Sequence, residues 1–259
     1  MRAETASGTV QIVADPAREG GRVLLVEGTV AAYVDLADPT HLALDYVRRM
    51  ADAIDALVPR GAPLAAVHLG GGGFALPRHL AATRPAARQE AYELDPEIVA
   101  LARTHLRLRR TAALRVRVGD ARALLARRPP ASCDLVVRDA FAGTTVPPHL
   151  ATLEFAREVA GRLRPGGLYL VNAVDAPPFD GLRAEAATLL AAFGSVAAFG
   201  AREVVRRKHA GNLLLAASPA ALPVAALRRA LATGPHPCDL LAGDAVRALA
   251  GGARPLRDA

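Results

Sequence analysis

Four consecutive glycines, Gly70–Gly73, separate an apolar run from a helical stretch. The apolar run begins at Leu64 and predicts a buried strand, and the helix is predicted from about Phe74 to about Ala82. Glycine is needed where the backbone bends sharply and lies close to a ligand, and the helix N-terminus that follows presents unpaired N–H groups. The sequence therefore predicts a ligand-binding turn between a strand and a helix.

A second predicted strand follows this helix, from about Gln89 to Leu94, and it brings two acids to its end. These acids are Glu93 and Asp95. An acid at the end of the second strand is placed to accept hydrogen bonds from the hydroxyls of a ribose. The segment from Leu64 to Asp95 thus predicts a cofactor that carries a nucleoside.

The glycine turn alone does not decide which nucleoside cofactor binds. Gly70, Gly72 and Ala75 also fit the dinucleotide pattern G-x-G-x-x-G/A, but this match is weak by itself. Dinucleotide binding therefore stays an alternative, and so does a tight turn that binds no ligand.

Acids after two further strands favour S-adenosylmethionine. A third predicted strand, Leu114–Val118, runs into Gly119, Asp120 and Ala121, and an acid there can accept a hydrogen bond from the amine of an adenine. A fourth predicted strand, Cys133–Arg138, ends at Asp139. In open α/β sheets ligands bind at the carboxyl ends of the strands, where these acids are expected to meet.

The composition is that of a globular enzyme. The 259 residues are 52% hydrophobic, which is enough to fill a core. We expect no membrane-spanning segment, because no apolar stretch reaches about 18 residues, and no signal peptide, so a cytoplasmic location is the expectation. The two cysteines, Cys133 and Cys238, lie far apart and suggest neither a disulfide framework nor a metal site.

The basic charge is a weak indication of a nucleic-acid partner. The formal net charge is +7 and the pI is about 10.3. Lys208 is the only lysine, the arginines are spread along the chain, and aromatic residues make up only 4%. Because bases stack on interleaved aromatic side chains, a solvated surface is favoured over nucleic-acid binding. We expect a small-molecule substrate.

The remaining elements alternate in a way that defines the fold class. Residues 1–36 predict a small antiparallel β-subdomain, with a hairpin of Thr9–Val13 and Arg22–Glu27 and a further strand from Thr29 to Val34. Residues 37–259 predict a doubly wound, mostly parallel, Rossmann-like sheet. A helix is predicted from about His41 to Leu57, and a turn at Arg164–Gly167 before a fifth strand. The last predicted helix is Ala221–Ala232.

Several of these segments together resemble the spermidine synthase family, a branch of the class I S-adenosylmethionine-dependent transferases. The resemblance extends from about Gly28 to Ala217. It is carried by HLGGGGFALPRHL, YELDPEIVALAR, VGDARALL, DLVVRDAF and EFAREVAGRLRPGGLYLVN. It implies the class I methyltransferase fold with a small N-terminal β-domain, and S-adenosylmethionine or decarboxylated S-adenosylmethionine as the cofactor. A homodimer is a further expectation.

The resemblance also implies roles for individual residues. Asp139 is the candidate general base, with capping of the following loop as the structural alternative, and Tyr46 is the candidate pocket tyrosine. We expect His149 to be able to reach a substrate. The predicted cofactor-binding residues are Gly70, Gly71, Gly72, Gly73, Glu93, Asp95, Asp120 and Ala121.

The chain departs from the family pattern where a diamine would bind. Gly73 stands at the aspartate of the usual G-G-G-D-G-G, and Phe74 at the glycine after it. Ala142 stands at the second acid of the usual D-S-x-D. Ala31 and Val47 replace a usual glutamine and a usual His or Gln. Because a buried dication needs carboxylates at both ends, putrescine is predicted to be a poor substrate.

These departures leave the reaction open. They modestly favour methyl transfer to a small molecule over aminopropyl transfer to a polyamine. A protein that binds nucleosides without catalysis is a further alternative, although the presence of Asp139 argues against it. A nucleic-acid methyltransferase is disfavoured because strand four is followed by DAFA rather than an Asn/Asp-Pro-Pro-aromatic signature.

Overall fold

An antiparallel sheet forms the N-terminal part of the computed structural model, which describes residues 1–143 and 145–259. The sheet has four strands in sequential order, one more than the sequence predicts. Valine, isoleucine and leucine side chains on one of its faces pack against the larger part of the molecule. The strands are β1 (Arg2–Thr5), β2 (Gly8–Ala14), β3 (Gly21–Val26) and β4 (Thr29–Asp35).

The larger sheet has eight strands and is mostly parallel at its centre. Its strands are β5 (Ala65–Leu69), β6 (Arg88–Glu93), β7 (Leu114–Val118), β8 (Cys133–Arg138), β9 (Leu163–Asp175), β10 (Ser195–Ala201), β11 (Gly211–Ser218) and β12 (Cys238–Ala242). Their spatial order is β12-β10-β11-β9-β8-β5-β6-β7. Strands β5 to β9 pair in parallel, whereas β11 is antiparallel to β9 and to β10. This is the predicted doubly wound sheet with an antiparallel extension at one edge.

Helices cover both faces of this sheet. They are α1 (Asp45–Leu57), α2 (Ala75–Thr83), α3 (Pro96–His105), α4 (Ala121–Ala126), α5 (Leu153–Arg162), α6 (Asp180–Ala192), α7 (Arg202–Val205), α8 (Val224–Ala232) and α9 (Asp244–Ala250), with a 3₁₀ turn at Pro148–Leu150. One apolar core joins α1, α2 and α8 to the sheet, and another joins α4, α5, α6 and α9 to the opposite face. In the described part of the chain, no helix has the length and apolar character needed to cross a membrane.

Besides the additional N-terminal strand β1 and the short helix α7, the structure differs from the sequence prediction at α1, at β9 and after the last predicted helix. Helix α1 begins at Asp45 rather than His41, since the residues after Asp38 form a turn that its carboxylate holds. Strand β9 continues through the predicted turn at Arg164–Gly167, because the ladder with β8 contains an irregularity there. Strand β12 and helix α9 follow the last predicted helix. The division into domains at residue 36 stays a prediction.

A buried ion pair ties the strand that ends at the site to the helix layer. The guanidinium of Arg138 contacts the carboxylate of Glu185 on α6, and both side chains are almost fully enclosed. Nη1 of Arg138 also donates a hydrogen bond to the carbonyl of Leu150, at 2.9 Å. Since Arg138 precedes Asp139 directly, these contacts fix the backbone from which Asp139 projects.

We predict that Glu185→Gln destabilises the protein by about 3 to 5 kcal/mol, because the positive charge of Arg138 is left buried without a counter-charge. Urea unfolding measures the change. Glu203→Gln is the matched control: it breaks the exposed pair of Glu203 with Lys208, and such pairs contribute roughly 0 to 1 kcal/mol. Equal effects of the two substitutions would contradict the structural role given to the buried pair.

Candidate active site

The predicted site residues lie at the carboxyl edge of the parallel strands. The N–H of Gly70 donates to the carbonyl of Tyr92 at 2.9 Å, and the N–H of Gly119 donates to the carbonyl of Glu93 at 2.9 Å. The N–H of Asp139 donates to the carbonyl of Leu69 at 3.0 Å. These bonds extend the ladder past the strand ends, so the loops after β5, β6, β7 and β8 start side by side.

The glycine turn packs closely against the loop that follows β8. Gly70 has a φ of +97°, and a Cβ there would collide with the backbone carbonyl of Asp139. Gly72 has a φ of +48° and faces open space. A side chain at either position would be strained, and at Gly70 it would push the turn away from Asp139. The turn therefore exposes backbone rather than side chains and packs directly against the residue that follows β8.

Phe74 follows the turn in an unusual backbone conformation. Its φ is 58°, a left-handed value that is rare for a bulky residue. The side chain is fully buried beside Gly71, in the core that joins α3 to the N-terminal sheet. Burial of the aromatic ring offsets the backbone cost, and the ring fills space under the turn.

Glu93 binds the glycine turn with its own carboxylate. Oε2 accepts hydrogen bonds from the N–H groups of Gly71 and Gly72 at 2.8 and 3.1 Å. Oε1 accepts one from the backbone N–H of Asp95 at 3.0 Å. The residue is only 8% exposed. Because each carboxylate oxygen has about two acceptor positions, Oε1 keeps a free position for a ligand hydroxyl.

Asp95 caps helix α3 and contacts the N-terminal sheet. Oδ1 accepts hydrogen bonds from the N–H groups of Glu97 and Ile98, at 2.9 and 3.4 Å. Oδ2 accepts one from the N–H of Ser7 at 2.9 Å. Burial opposes ionisation of Asp95, but these donors outweigh it and lower its pKa. The carboxylate thus has a clear structural role, and its predicted contact with a cofactor stays a prediction.

Asp120 and Ala121 lie at the start of helix α4. Oδ1 of Asp120 accepts a hydrogen bond from the N–H of Ala123 at 2.8 Å, while Oδ2 lies 2.7 Å from Nε2 of His149. Burial alone would raise the pKa of Asp120. The hydrogen bonds from the N–H of Ala123 and from the ring of His149 outweigh this effect, so the pKa lies below its usual value. Asp120 is therefore an ionised acceptor beside a histidine, and the sequence did not indicate this pairing.

Asp139 stands in a row of hydrogen bonds that crosses three strands. Oδ2 accepts from the hydroxyl of Tyr46 at 3.1 Å, and Oδ1 accepts from the amide of Asn172 at 2.8 Å. Oδ1 of Asn172 in turn accepts from the amide of Asn212 at 3.0 Å. The structure thus brings together the two predicted catalytic residues, Asp139 and Tyr46.

Burial raises the pKa of Asp139, while the bonds from Asn172 and Tyr46 and the charge of Arg138 partly oppose this effect. A carboxylate with a raised pKa is a better proton acceptor than an exposed one. Sequence reasoning did not single out Asn172 and Asn212. The available signal was an amide at the boundary of each of two apolar stretches, after Leu168–Val171 and before Leu213–Ala217.

Two exposed apolar residues adjoin the cofactor acids. Leu94 follows Glu93 and is 67% exposed, and Val118 precedes Gly119 and is 50% exposed. Glu93 and Val118 are direct partners in the ladder between β6 and β7. This edge of the sheet therefore offers apolar surface next to carboxylate acceptors, a combination that suits a nucleoside. Sequence reasoning read Leu94 and Val118 only as strand residues.

The positions that depart from the family pattern carry no acid. A Cβ at Gly73 would lie 2.7 Å from Cβ of Ala32 and 3.0 Å from Cγ2 of Val34, so a larger side chain does not fit there. Ala142 is exposed, in a loop that also contains Thr144, which lies outside the described residues. Val47 is buried in the apolar core beneath α1. Within residues 1–143 and 145–259, no group of three or more His, Cys, Asp or Glu side chains could hold a metal ion.

We predict that Glu93→Ala weakens binding of S-adenosylmethionine or its product nucleosides by about 1.5 to 3 kcal/mol, the usual contribution of a hydrogen bond to a charged group. Isothermal titration calorimetry measures the change. Asp95→Ala is the control, because loss of a helix cap costs about 1 kcal/mol of folding stability. Unchanged affinity in Glu93→Ala would remove Glu93 from the binding site, and a matching loss in Asp95→Ala would add Asp95 to it.

Sequence comparison with known proteins finds a partial relative. No protein-family model matches the chain. A polyamine aminopropyltransferase from Vibrio vulnificus is 31% identical over 106 residues. This match covers 40% of the present chain and 36% of that enzyme, so it spans about a third of the relative's length.

Comparison with solved structures extends over the whole chain. A probable spermidine synthase from Corynebacterium glutamicum superposes with a TM-score of 0.93 at 29% identity, covering 100% of this chain and 96% of that one. Human methyltransferase-like protein 13, solved with S-adenosylhomocysteine (SAH), superposes with a TM-score of 0.58 at 22% identity, covering 74% and 94%. The chain therefore has the class I methyltransferase fold and, among proteins of this fold, it is similar to the spermidine synthases.

Proposed function

We propose that this protein is an aminopropyltransferase, which moves an aminopropyl group from decarboxylated S-adenosylmethionine to an amine. The observation that carries the proposal is the partly buried carboxylate of Asp139, which Tyr46 and Asn172 hold and whose own backbone packs against the glycine turn. The names of the relatives support it, since a polyamine aminopropyltransferase and a probable spermidine synthase are similar to this chain.

The residues present fit a nucleoside with a sulfonium group. Gly72 offers open space at the turn, and Oε1 of Glu93 has a free acceptor position for a ribose hydroxyl. Asp120 is an acceptor for an adenine amine, and Leu94 and Val118 offer apolar surface for the flat base. In this arrangement the glycine turn, which abuts Asp139, holds the end that carries the sulfonium.

Asp139 then acts as the base for the acceptor amine. The bound cosubstrate supplies a carbon attached to a positively charged sulfur, and the C–S bond breaks with its electron pair left on sulfur. The acceptor nitrogen forms the new C–N bond with its lone pair and releases one proton to Asp139. Tyr46 and Asn172 fix the carboxylate during this transfer, and a positioned base contributes about 10² to 10⁴-fold to the rate.

Methyl transfer remains a second candidate because of one position. No carboxylate stands at Gly73, where the family resemblance implies an acid, and Ala32 and Val34 close the space for one. The primary ammonium of an aminopropyl group therefore lacks that counter-charge. The sequence alone modestly favoured methyl transfer, but the similar proteins support aminopropyl transfer better.

The partner we propose is a small-molecule amine. A nucleic-acid substrate is not part of the proposal, since the site is built around the partly buried carboxylate of Asp139 rather than a basic groove with aromatic side chains. The homodimer and the cytoplasmic location inferred from the sequence stay predictions.

We predict that incubation with decarboxylated S-adenosylmethionine and a pool of amines releases methylthioadenosine, because breaking the bond to the aminopropyl carbon leaves this nucleoside. Mass spectrometry identifies it. A parallel reaction with S-adenosylmethionine is the control. Release of S-adenosylhomocysteine there, with no methylthioadenosine in the first reaction, would contradict the proposal and favour methyl transfer.

We predict a pH dependence that identifies Asp139 as the base. The rate at low substrate should fall as acid protonates Asp139, with a midpoint above the ordinary value of 3.8 because burial raises this pKa. Tyr46→Phe removes a hydrogen bond to the ionised form, so the pKa rises further and the acidic limb of kcat/KM moves to higher pH. The pH profiles of both proteins measure this shift.

Asp139→Asn provides the control for the pH profile. It should retain the shape of the site, lower kcat by about 10² to 10⁴-fold and remove the acidic limb. A fully active Asp139→Asn, with only about 1 kcal/mol less stability, would instead identify a structural cap.

A further inference from the structure

Residues that follow helix α9 pack against the start of helix α5. The carbonyl of Leu256 accepts a hydrogen bond from the N–H of Leu153 at 2.8 Å. The N–H of Asp258 donates one to Oε2 of Glu154 at 3.0 Å. These bonds hold the backbone on both sides of residue 257 against α5. We refer to residues 256–258 as the docked segment.

The docked segment presents a carboxylate to helix α4. Nη1 of Arg122, the second residue of α4, donates to Oδ1 of Asp258, and Nη2 donates to Oδ2, both at 2.8 Å. Oγ1 of Thr152 donates a further hydrogen bond to Oδ1 at 2.7 Å. The bond from Arg122, followed by that from Thr152, lowers the pKa of Asp258 to about 2. A carboxylate bound through both oxygens fixes the plane and direction of the guanidinium.

Arg122 connects this carboxylate to the 3₁₀ turn after Asp139. Its Nη1 also donates to the backbone carbonyl of His149 at 3.2 Å, and its Nε donates to Oε1 of Glu158 on α5 at 3.0 Å. The guanidinium carbon lies 5.7 Å from the centre of the Phe155 ring. Arg122 therefore joins α4 to the 3₁₀ turn, and Asp258 helps to fix the guanidinium that makes this connection.

The pair of Asp120 and His149 lies between the two elements that Arg122 joins. Asp120 caps α4, two residues before Arg122, and His149 is the middle residue of the 3₁₀ turn. The side chains of His149 and Asp120 are 46% and 39% exposed, and their contact is 2.7 Å. Because an exposed pair contributes little stability by itself, its geometry depends on the backbone that carries each partner. Arg122 contacts both of these backbone elements.

We propose that Asp258 positions Asp120 to accept a hydrogen bond from the adenine amine of the cofactor. It acts through Arg122 and the turn of His149, and it is assigned no contact with the ligand itself. Oδ1 of Asp120 binds the N–H of Ala123, and Oδ2 binds His149. Since each oxygen has about two acceptor positions, the direction left for an amine depends on where His149 lies. The inference rests on the proposed function only in placing an adenosine at Asp120.

The test measures how well the protein distinguishes an adenine amine from its replacement. Isothermal titration calorimetry of the whole chain measures binding of methylthioadenosine and of methylthioinosine, in which an oxygen stands in place of the amine. We expect the unaltered protein to bind methylthioadenosine more tightly by roughly tenfold or more, as for a hydrogen bond to a charged group. Equal affinities in the unaltered protein would overturn the proposal, because Asp120 would then have no amine to accept from.

Substitutions at Asp258 test its part in this preference. In Asp258→Ala we expect the ratio of the two affinities to fall by roughly twofold or more, the lower end of coupling within one hydrogen-bond network. Asp258→Asn keeps one acceptor oxygen, so its ratio should lie between those of Asp258→Ala and the unaltered protein. An unchanged ratio in Asp258→Ala would overturn the proposal.

Arg257→Gln is the matched control. It breaks the ion pair that the neighbouring residue of the docked segment forms with Glu154, which is 2.9 Å long, and it should leave the ratio unchanged. Thermal unfolding of each variant separates positioning from stability. A lower midpoint in Asp258→Ala with an intact ratio would identify a purely structural role and overturn the proposal, as would an equal fall of the ratio in Arg257→Gln.

Failure of this inference is distinguishable from failure of the proposed function. Release of S-adenosylhomocysteine alone would refute aminopropyl transfer. Both cofactors carry the same adenosine, so a reduced ratio in Asp258→Ala would still support the positioning role. Release of methylthioadenosine together with an unchanged ratio in Asp258→Ala would support the function and overturn that role.

Discussion

The site depends on the partly buried carboxylate of Asp139 and on the groups that hold it. Burial of Asp139 disfavours its ionised form, and the protein offsets this cost with donors from Tyr46 and Asn172 and with the nearby charge of Arg138. Tyr46 is on α1, Asn172 is on β9 and Arg138 is on β8. All three elements must therefore be in place for the carboxylate to be held. The buried pair of Arg138 with Glu185 extends this dependence to α6 on the far side of the sheet.

The glycine turn connects this carboxylate to the cofactor acids. Gly70 packs against the backbone of Asp139 on one side, and Glu93 binds the N–H groups of Gly71 and Gly72 on the other. Asp95 then joins the same loop to Ser7 of the N-terminal sheet. The small sheet is therefore part of the site's support, because Ala32 and Val34 also close the space beside Gly73.

Local patterns predicted the parts of the fold that depend on short-range signals. The glycine turn and the strands Leu114–Val118 and Cys133–Arg138 are examples. Strand β12 and helix α9 were missed, since they are stabilised by contacts with distant parts of the chain. Asn172 and Asn212 were missed for the same reason: their roles arise only when β9 and β11 lie side by side, 40 residues apart in sequence.

We infer that the carboxyl edge of the sheet binds a nucleoside with a sulfur-bearing chain rather than a dinucleotide. Titration of the protein with methylthioadenosine and, separately, with NAD in the calorimeter tests this claim most directly. We expect methylthioadenosine to bind and NAD to bind far more weakly, because we place a single adenosine between Asp120 and the turn beside Asp139. Tighter binding of NAD would contradict it.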